Sequence, residues 1–303
     1  MKSFDKHAFG GHVAMFVANI IWGIMAPASK FLMSFDSVSS FAVTGFRVAG
    51  ACLLFWIASL FLKKEDVCRK DKIRLLFASM LAVMFNQGSF ITGVSLTSPV
   101  DATVIVTFLP VITMILSALI LKEPISVLKV GGIVCGISGA LILVCSSANG
   151  GGVSNIWGNL LCLTAQFSFA FYVVLFKDLV GKYSPVTIMK WMFLFATILF
   201  VPFFVKDMVA INYRELPFDA YLALIHIVFG GTFICYFMIP IGQHRLRPTV
   251  VVMYNYVQPI VATIIALSLG MDTFSTIKIL AGILIFVGVF AVTQSRAKAD
   301  LIK

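Results

Sequence analysis

The sequence predicts an all-α integral membrane protein with ten transmembrane helices, arranged as two inverted five-helix repeats. Three observations lead to this fold class: the chain is 60% hydrophobic and 12% charged, its apolar runs are long enough to cross a bilayer, and its second half repeats the first. A soluble fold would lack the polar residues to cover its surface, whereas spanning helices can be apolar on every side. Membrane strands would alternate over about ten residues instead.

Ten apolar segments each approach the roughly 20 residues that a spanning helix needs. We expect them at about 11–33, 38–62, 74–95, 98–121, 127–146, 153–177, 184–205, 218–241, 248–271 and 274–294. The first segment resembles a signal peptide, because basic residues precede it and residues 26–28 imitate a cleavage site. Its apolar run continues to Met33, so a spanning helix is the better interpretation.

The basic residues are concentrated on one predicted side of the membrane. A formal charge of +10 could indicate a nucleic-acid partner, but the basic residues crowd into alternate loops, while the other loops contain only Lys206 and Arg214. The positive-inside rule therefore predicts that both termini are cytoplasmic and that the protein is a multi-pass protein of a bacterial-type cell (inner) membrane. We expect a lipid bilayer as its surroundings and no nucleic acid as its partner.

A shift of 147 to 149 residues aligns the two halves of the chain. It superposes Asn19 on Gln166, Trp22 on Phe169, and the stretch PVDATVIVTFLP (99–110) on PTVVVMYNYVQP (248–259). Matches in one register with equal span lengths indicate an internal repeat. Because five is odd, the second half must cross the membrane upside down relative to the first. Inverted repeats of this kind are typical of alternating-access carriers, whose substrate site lies near the midplane.

The repeat defines one membrane domain that covers residues 1–303. We expect a first five-helix repeat at 11–146, a short external linker at 147–152, a second five-helix repeat at 153–294 and a cytoplasmic tail at 295–303.

Four prolines occupy matched positions in the fourth and ninth spans. Pro99 and Pro248 fall in the first turn, where a missing N–H costs little. Pro110 and Pro259 lie deep in the spans, so we expect these two helices to kink there, with the freed backbone carbonyls facing the protein interior. The kinks could shape packing alone or serve a pair of functional helices.

Uncharged amides and aromatic side chains lie at a similar depth in several spans. Amides inside a bilayer face inward, where they either form interhelical hydrogen bonds or line a polar cavity. Both interpretations remain open for each residue, and as a group they fit a cavity for a small polar molecule. The candidate substrate-binding residues are Asn19, Trp22, Asn86, Gln87, Gln166, Phe169, Tyr172, Tyr236, Tyr254, Asn255 and Gln258.

Ionisable residues are rare within the spans. Arg47, Asp101 and His226 are candidates for ion coupling or for structural pairing. Arg47 could pair with backbone carbonyls, with Asp101 or with a substrate carboxylate, and His226 could carry a proton or be a hydrogen-bonded core residue. The spacing Gly132-x-x-x-Gly136 predicts close helix contact, either within the chain or in a homodimer. No metal site and no cofactor are expected.

Three segments resemble the drug/metabolite transporter (DMT) superfamily, EamA/RhaT type. They are IIWGIMAPASK (20–30), GVSLTSPVDATVIVTFLPVITMILSALILKEPIS (93–126) and YVQPIVATIIALSLGMD (256–272). The resemblance implies ten helices around a central cavity and the movement of small metabolites, often export of amino acids. It places the family's Trp-Gly pair on Trp22 and Gly23, and its acidic residue after the fourth helix on Glu123. The second half departs from the pattern, since LKEP becomes GMDT there and Asp272 takes the place of Glu123.

The functional hypothesis is a secondary transporter of small metabolites, amino-acid-like or related organic solutes, that works by alternating access and favours export. A lipid or lipid-linked sugar flippase of the same fold is the alternative. An enzyme is much less favoured, because the sequence contains neither H-E-x-x-H nor G-x-S-x-G, and it lacks the G-x-x-x-x-G-K-[ST] loop of ATP-driven proteins.

Overall fold

The computed structural model describes residues 6–120, 127–146, 155–246, 254–272 and 275–294, and these residues are helical with short connections. The predicted linker 147–152, the tail 295–303, Glu123 and Pro248 lie outside the described residues. We label ten helical segments α1 to α10 in chain order. They are α1 (Lys6–Leu32), α2 (Ser40–Leu60), α3 (Arg69–Leu96), α4 (Pro99–Ile120), α5 (Val127–Ser146), α6 (Ile156–Leu175), α7 (Pro185–Val209), α8 (218–245), α9 (254–268) and α10 (Thr276–Gln294).

Seven of these helices are long and apolar enough to cross a membrane, namely α1 to α4 and α6 to α8. Shorter apolar stretches of α5 and α10 cover Val130–Ile142 and Thr276–Gly288. Large apolar side chains also point outward, as at Phe61 and Phe203, which are 83% and 77% exposed. An outer surface of this kind is unfavourable in water and favourable in lipid, so the chain is a multi-pass membrane protein.

Several helices begin at residues that are typical N-terminal caps. Ser98 caps α4 by accepting a hydrogen bond from the backbone N–H of Asp101 at 3.1 Å, and Pro99 occupies the first turn as predicted. Asn155 caps α6 in the same way through the N–H of Trp157 at 2.8 Å. At the other end of a helix, Gly270 lies two residues beyond the end of α9 and adopts φ +65°, a conformation that glycine tolerates best.

Helices α4 and α9 are interrupted just before their deep prolines, which differs from the expected kink within a continuous helix. The first part of α4 ends at Val106, and the backbone then forms tight turns with bonds from Thr107 N to Val104 O (3.1 Å) and from Phe108 N to Ile105 O (3.0 Å). A new helical segment begins at Leu109, with Pro110 in its first turn. In α9 a 3₁₀ turn, Tyr254–Tyr256, precedes the segment Val257–Ser268. Each proline therefore starts a helix and breaks none.

Two further irregularities occupy matched positions in α3 and α8. A π-helical segment, Met80–Phe85, lies within α3, and another, His226–Ile234, lies within α8. Such segments frequently occur at functional sites, since the extra residue redirects side chains and carbonyl groups.

The packing of the helices follows the repeat. Helix α1 packs on α8 and α9, whereas α6, its counterpart in the second half, packs on α3 and α4. Helix α2 lies along its counterpart α7, and α5 lies along α10. Fully buried apolar side chains, among them Phe55 and Phe193, fill the space between the two halves. The halves thus share one core.

Two sets of contacts define the ends of the bundle. At the end that we name the Asp101 end, Lys30 of α1 donates to Ser95 O of α3 at 2.7 Å, and Thr97 donates to Asn159 of α6 at 2.6 Å. The C-terminal ends of α1 and α3 therefore meet the N-terminal end of α6 there. At the opposite end, which we name the Lys182 end, the N-terminal part of α3 contacts the connection between α6 and α7.

Candidate functional site

A central polar cluster lies between helices of both halves. It comprises Arg47 of α2, Gln87 of α3, Trp22 of α1, and Thr232 and Tyr236 of α8. The five residues come from four apolar stretches, and the packing of α8 against α1 and α2 contributes to bringing them together. Three of them, Trp22, Gln87 and Tyr236, are among the predicted substrate-binding residues.

Arg47 is the charged member of the cluster and is only 3% exposed. Its Nε donates to Thr232 Oγ1 at 3.0 Å, and that hydroxyl in turn donates to Ile227 O at 2.9 Å inside the π-helical segment. Its Nη1 is buried and has no acceptor. A guanidinium nitrogen that is removed from water without a partner is costly, so this atom marks an incomplete interaction.

Gln87 presents the complementary group. Its Nε2 donates to the Tyr236 hydroxyl over a long 3.4 Å, while its Oε1 is buried and accepts no hydrogen bond. The Tyr236 ring meets Trp22 edge-on at 6.2 Å and Phe193 edge-on at 5.7 Å. The Trp22 indole N–H donates to Gly231 O at 2.8 Å, which fixes the ring against α8. The cluster therefore combines one unused donor, one unused acceptor and aromatic walls.

Three other predicted amides, Asn19, Asn86 and Gln258, bond within the protein. Gln258 of α9 donates to Asn19 Oδ1 of α1 at 2.7 Å, and Asn19 donates to Met15 O at 2.8 Å. Asn86 of α3 donates to Ala165 O of α6 at 2.8 Å, and Gln166 is buried in α6. The Gln258–Asn19 and Asn86–Ala165 contacts are interhelical hydrogen bonds, the other interpretation that the sequence left open.

The remaining predicted residues lie in two places. Phe169 and Tyr172 pack against each other in α6 with ring centroids 5.5 Å apart, and they belong to the same buried cluster as Phe193 and Tyr236. The Tyr254 hydroxyl lies 2.8 Å from His12 Nδ1, near the N-terminal end of α1, and Asn255 is half-buried in the same 3₁₀ turn. Tyr254 therefore lies nearer to an end of the bundle than the sequence predicted.

The predicted coupling residues have different partners. His226 Nε2 lies 3.1 Å from Ile21 O, so it links α8 to α1. The Asp101 carboxylate lies 3.2 Å from Lys278 Nζ, and Arg47 bonds to Thr232 instead of pairing with Asp101.

Lys278 was not singled out from the sequence. Its ammonium also donates to Asp272 at 2.8 Å and to Ser98 at 3.3 Å, so one cation joins both repeats at the Asp101 end. The available signal was a lone lysine inside the apolar helix α10, which costs free energy unless it is paired.

Ion pairs also join the two repeats at the Lys182 end. Arg74 of α3 forms two 2.8 Å hydrogen bonds to Asp178, and Lys182 donates to Asp71 at 2.6 Å. The hydrogen bond with Asp71 raises the pKa of Lys182 to about 12, and the hydrogen bonds from Arg74 lower the pKa of Asp178. Charged contacts between repeats are therefore present at both ends of the bundle.

An apolar crevice of about 340 Å³ opens between α4, α9 and α10. Ile260, Ile264 and Phe286 form much of its wall, and Lys278 and Asp272 lie at one end. Within the described parts of the chain, no cluster of three or more His, Cys, Asp or Glu side chains could hold a metal ion.

Comparison with known proteins agrees with this architecture. The EamA-like transporter family matches residues 9–145 and again residues 156–294, so the chain belongs to that family and carries two copies of its repeat. The family match confirms the resemblance that the sequence motifs indicated.

Several similar proteins are also named as transporters. The chain is 25% identical over 292 residues to the uncharacterized transporter YvbV of Bacillus subtilis, covering 93% of this chain and 90% of that protein. It is 28% identical over 185 residues to an uncharacterized transporter of Archaeoglobus fulgidus, covering 60% of this chain and 63% of that relative. A crystal structure with 16% sequence identity has the same fold, with a TM-score of 0.62 over 95% of this chain and 96% of the other.

Proposed function

We propose that the protein is a secondary transporter that exports small metabolites, amino-acid-like or related organic solutes, by alternating access. The single observation that supports this most strongly is the central polar cluster, where buried and unsatisfied polar atoms lie between helices of both halves. Polar groups so placed in a membrane protein mark a substrate pathway more often than a packing contact.

Inverted topology supplies the mechanism in this proposal. Residues at the Asp101 end face the outside and those at the Lys182 end face the cytoplasm, with both chain termini cytoplasmic. The inter-repeat ion pairs of Lys278 with Asp101 and of Arg74 with Asp178 then open alternately. The breaks in α4 and α9 and the π-helical segments of α3 and α8 are places where the helices can bend as the repeats rock.

Transport of labelled solutes into proteoliposomes tests this function. We expect the protein to move some of the amino acids in a test panel across the bilayer without altering them. An enzyme would instead change the compound chemically and would not move it across the bilayer. Overproduction in cells should raise the same solutes in the medium. A protein that moves none of them, with intact membrane insertion, would contradict the proposal.

Two variants test the location of the substrate site. Gln87→Leu removes the unused acceptor, and Asn255→Leu removes an amide from the start of α9, so we expect both to abolish transport while the protein still inserts. Ser268→Ala is a matched control, because its hydroxyl is exposed and bonds only within α9, to Ile264 O at 2.7 Å. Wild-type transport by both Leu variants would place the substrate elsewhere.

The lateral apolar crevice favours a second candidate, a lipid or lipid-linked sugar flippase. A crevice between α9 and α10 with a charged end could admit an acyl chain from the side. Vesicles that contain a fluorescent phospholipid distinguish the two functions, since a flippase makes the inner-leaflet dye accessible to dithionite and the proposed solute carrier does not.

A further inference from the structure

Two lysine and two tryptophan side chains meet at the Lys182 end of the bundle, between α2, α3 and α7. The Lys72 ammonium of α3 lies 4.4 Å from the centre of the Trp191 ring of α7. The Lys190 ammonium of α7 lies 5.4 Å from the centre of the Trp56 ring of α2. The two rings meet edge-on with their centres 5.7 Å apart. Three helices therefore hold these four residues in one arrangement, which we name the lysine–tryptophan patch.

The two lysines of the patch carry charge that no carboxylate balances directly. Within the described residues, the ion pairs of basic side chains belong to Arg74, Lys182 and Lys278. Glu65 is close enough to interact with the charge of Lys190, but its carboxylate accepts hydrogen bonds from the Ser184 N–H and hydroxyl at 3.0 and 2.8 Å. An aromatic ring attracts an ammonium and positions it without neutralising it. Both ammonium groups thus remain available to an anion.

The chain beside the patch adds further positive charge. Residues 61–72, which join α2 to α3, contain five basic residues and three acidic ones. The exposed basic residues that form no ion pair with any described side chain are Lys63, Lys64, Arg69 and Lys70. The equivalent stretch of the second repeat, residues 210–221, has one basic residue and two acidic ones. The positive-inside rule accounts for basic loops on one side, but it does not place two lysines over tryptophan rings within helices.

An apolar surface leads away from the patch along the outer side of α2. Leu53 and Leu60 are exposed and lie on the same face of the helix as Trp56, which is 37% exposed. Tryptophan rings in membrane proteins lie at the level of the lipid headgroups. The ammonium groups therefore lie at headgroup level, and the exposed leucine side chains lie where acyl chains pass. Basic pockets between membrane helices on the cytoplasmic side are typical binding sites for cardiolipin headgroups.

From these contacts we infer that the lysine–tryptophan patch binds cardiolipin, an anionic phospholipid with two phosphates. One phosphate accepts hydrogen bonds from Lys72 and the other from Lys190, while acyl chains pack along α2. Two ammonium groups, each over its own ring, match two phosphates better than the single phosphate of phosphatidylglycerol. In the proposed topology the patch faces the inner leaflet. The site does not depend on which solute the protein moves.

Native mass spectrometry of the full-length protein in detergent tests this inference without a transport assay. Cardiolipin, phosphatidylglycerol and phosphatidylcholine are added separately at equal phosphate concentration. We expect cardiolipin to bind about fivefold more tightly than phosphatidylglycerol, because its second phosphate reaches the second lysine. Zwitterionic phosphatidylcholine should bind more weakly than either. Equal binding of cardiolipin and phosphatidylglycerol would overturn the assignment of two phosphates to two lysines.

Substitution of the lysines locates the binding site. Lys72→Met and Lys190→Met should each weaken cardiolipin binding about fivefold, and the double variant should weaken it about 30-fold. We expect the variants to fold, because both lysines are only half-buried and form no ion pair with any described residue. Wild-type affinity in the double variant would exclude the site.

Lys177→Met is the matched control. It removes the same charge from an exposed position in the connection between α6 and α7, at the same end of the bundle. Cardiolipin affinity should stay at the wild-type level in this variant. A loss as large as that of Lys72→Met would show that net charge alone attracts the lipid, and it would overturn the inference.

Thermal unfolding with and without added cardiolipin gives a second measurement. A ligand that binds the folded protein raises its Tm, so cardiolipin should stabilise the wild type and Lys177→Met more than the double variant. An equal rise in Tm for the wild type and the double variant would contradict a site at the patch. If the double variant does not fold, the comparison of the three lipids on the wild type still decides the inference.

Discussion

Lys278→Met should destabilise the protein more than other lysine substitutions in its helices. Lys278 is the cation that joins Asp101, which is fully buried, to Asp272, and its own side chain is 18% exposed. Removal of one partner from a buried ion pair typically costs about 3–5 kcal/mol, because the remaining charge is left uncompensated. For a chain of 303 residues, that loss corresponds to a fall in Tm of roughly 5–8 °C.

The assay is thermal unfolding of the detergent-solubilised protein, followed by the fraction that remains monodisperse in size-exclusion chromatography. Lys190→Met is the matched control, since Lys190 contacts an aromatic ring and should contribute only about 0.5–1 kcal/mol. Adding Asp101→Asn to Lys278→Met should recover part of the Tm, because it removes one of the two stranded charges. A Lys278→Met variant with the wild-type Tm would refute this reasoning.

Three further predictions concern the packing between helices. Asn19→Leu and Gln258→Leu should each destabilise the protein by about 1–3 kcal/mol, because each leaves a buried amide without its 2.7 Å partner. In a double-mutant cycle, the loss of stability in the double variant should be smaller than the sum of the two single losses. Gly158→Leu should prevent assembly of the monodisperse protein, because a Cβ there would come within 2.8 Å of the backbone at the end of α3. Normal assembly of this variant would show that α3 and α6 can move apart. The pKa of Lys182 is raised from 10.5 to about 12 by the hydrogen bond with Asp71, so its contribution to stability is fully present below pH 10.5 and is lost as the pH rises through about 12. The Tm difference between the wild type and Lys182→Met should therefore shrink across that interval, and a constant difference would contradict the assignment.

The sequence predicted the helices well because bilayer thickness constrains their length. For the described spans, predicted and observed boundaries agree within a few residues, as for α2 at 38–62 against Ser40–Leu60. For α4 and α9 the sequence predicted kinks at Pro110 and Pro259, whereas in the structure a new helical segment begins just before each proline. The π-helical segments of α3 and α8 were not predicted, because no residue type marks the insertion of one residue into a helix.

The candidate site was predicted only in part, because apolar sequence reveals the depth of a residue and not its rotation about the helix. Asn19 and Gln87 are both amides deep inside spans, yet Asn19 bonds to Gln258 and Gln87 keeps an unused oxygen. Partners more than a hundred residues apart, such as Asp101 and Lys278, depend on how the helices pack. Such pairs could not be identified without the fold.

The two equivalent loops that join the first and second helices of each repeat test the central claim most directly. Asp36→Cys lies between α1 and α2, and Gly181→Cys lies between α6 and α7 at a position with open space around it. In a background without exposed Cys68, a membrane-impermeant maleimide applied to intact cells should label Asp36→Cys, and Gly181→Cys should react only after the membrane is opened. Labelling of both positions from the same side would contradict two oppositely oriented repeats around a shared site.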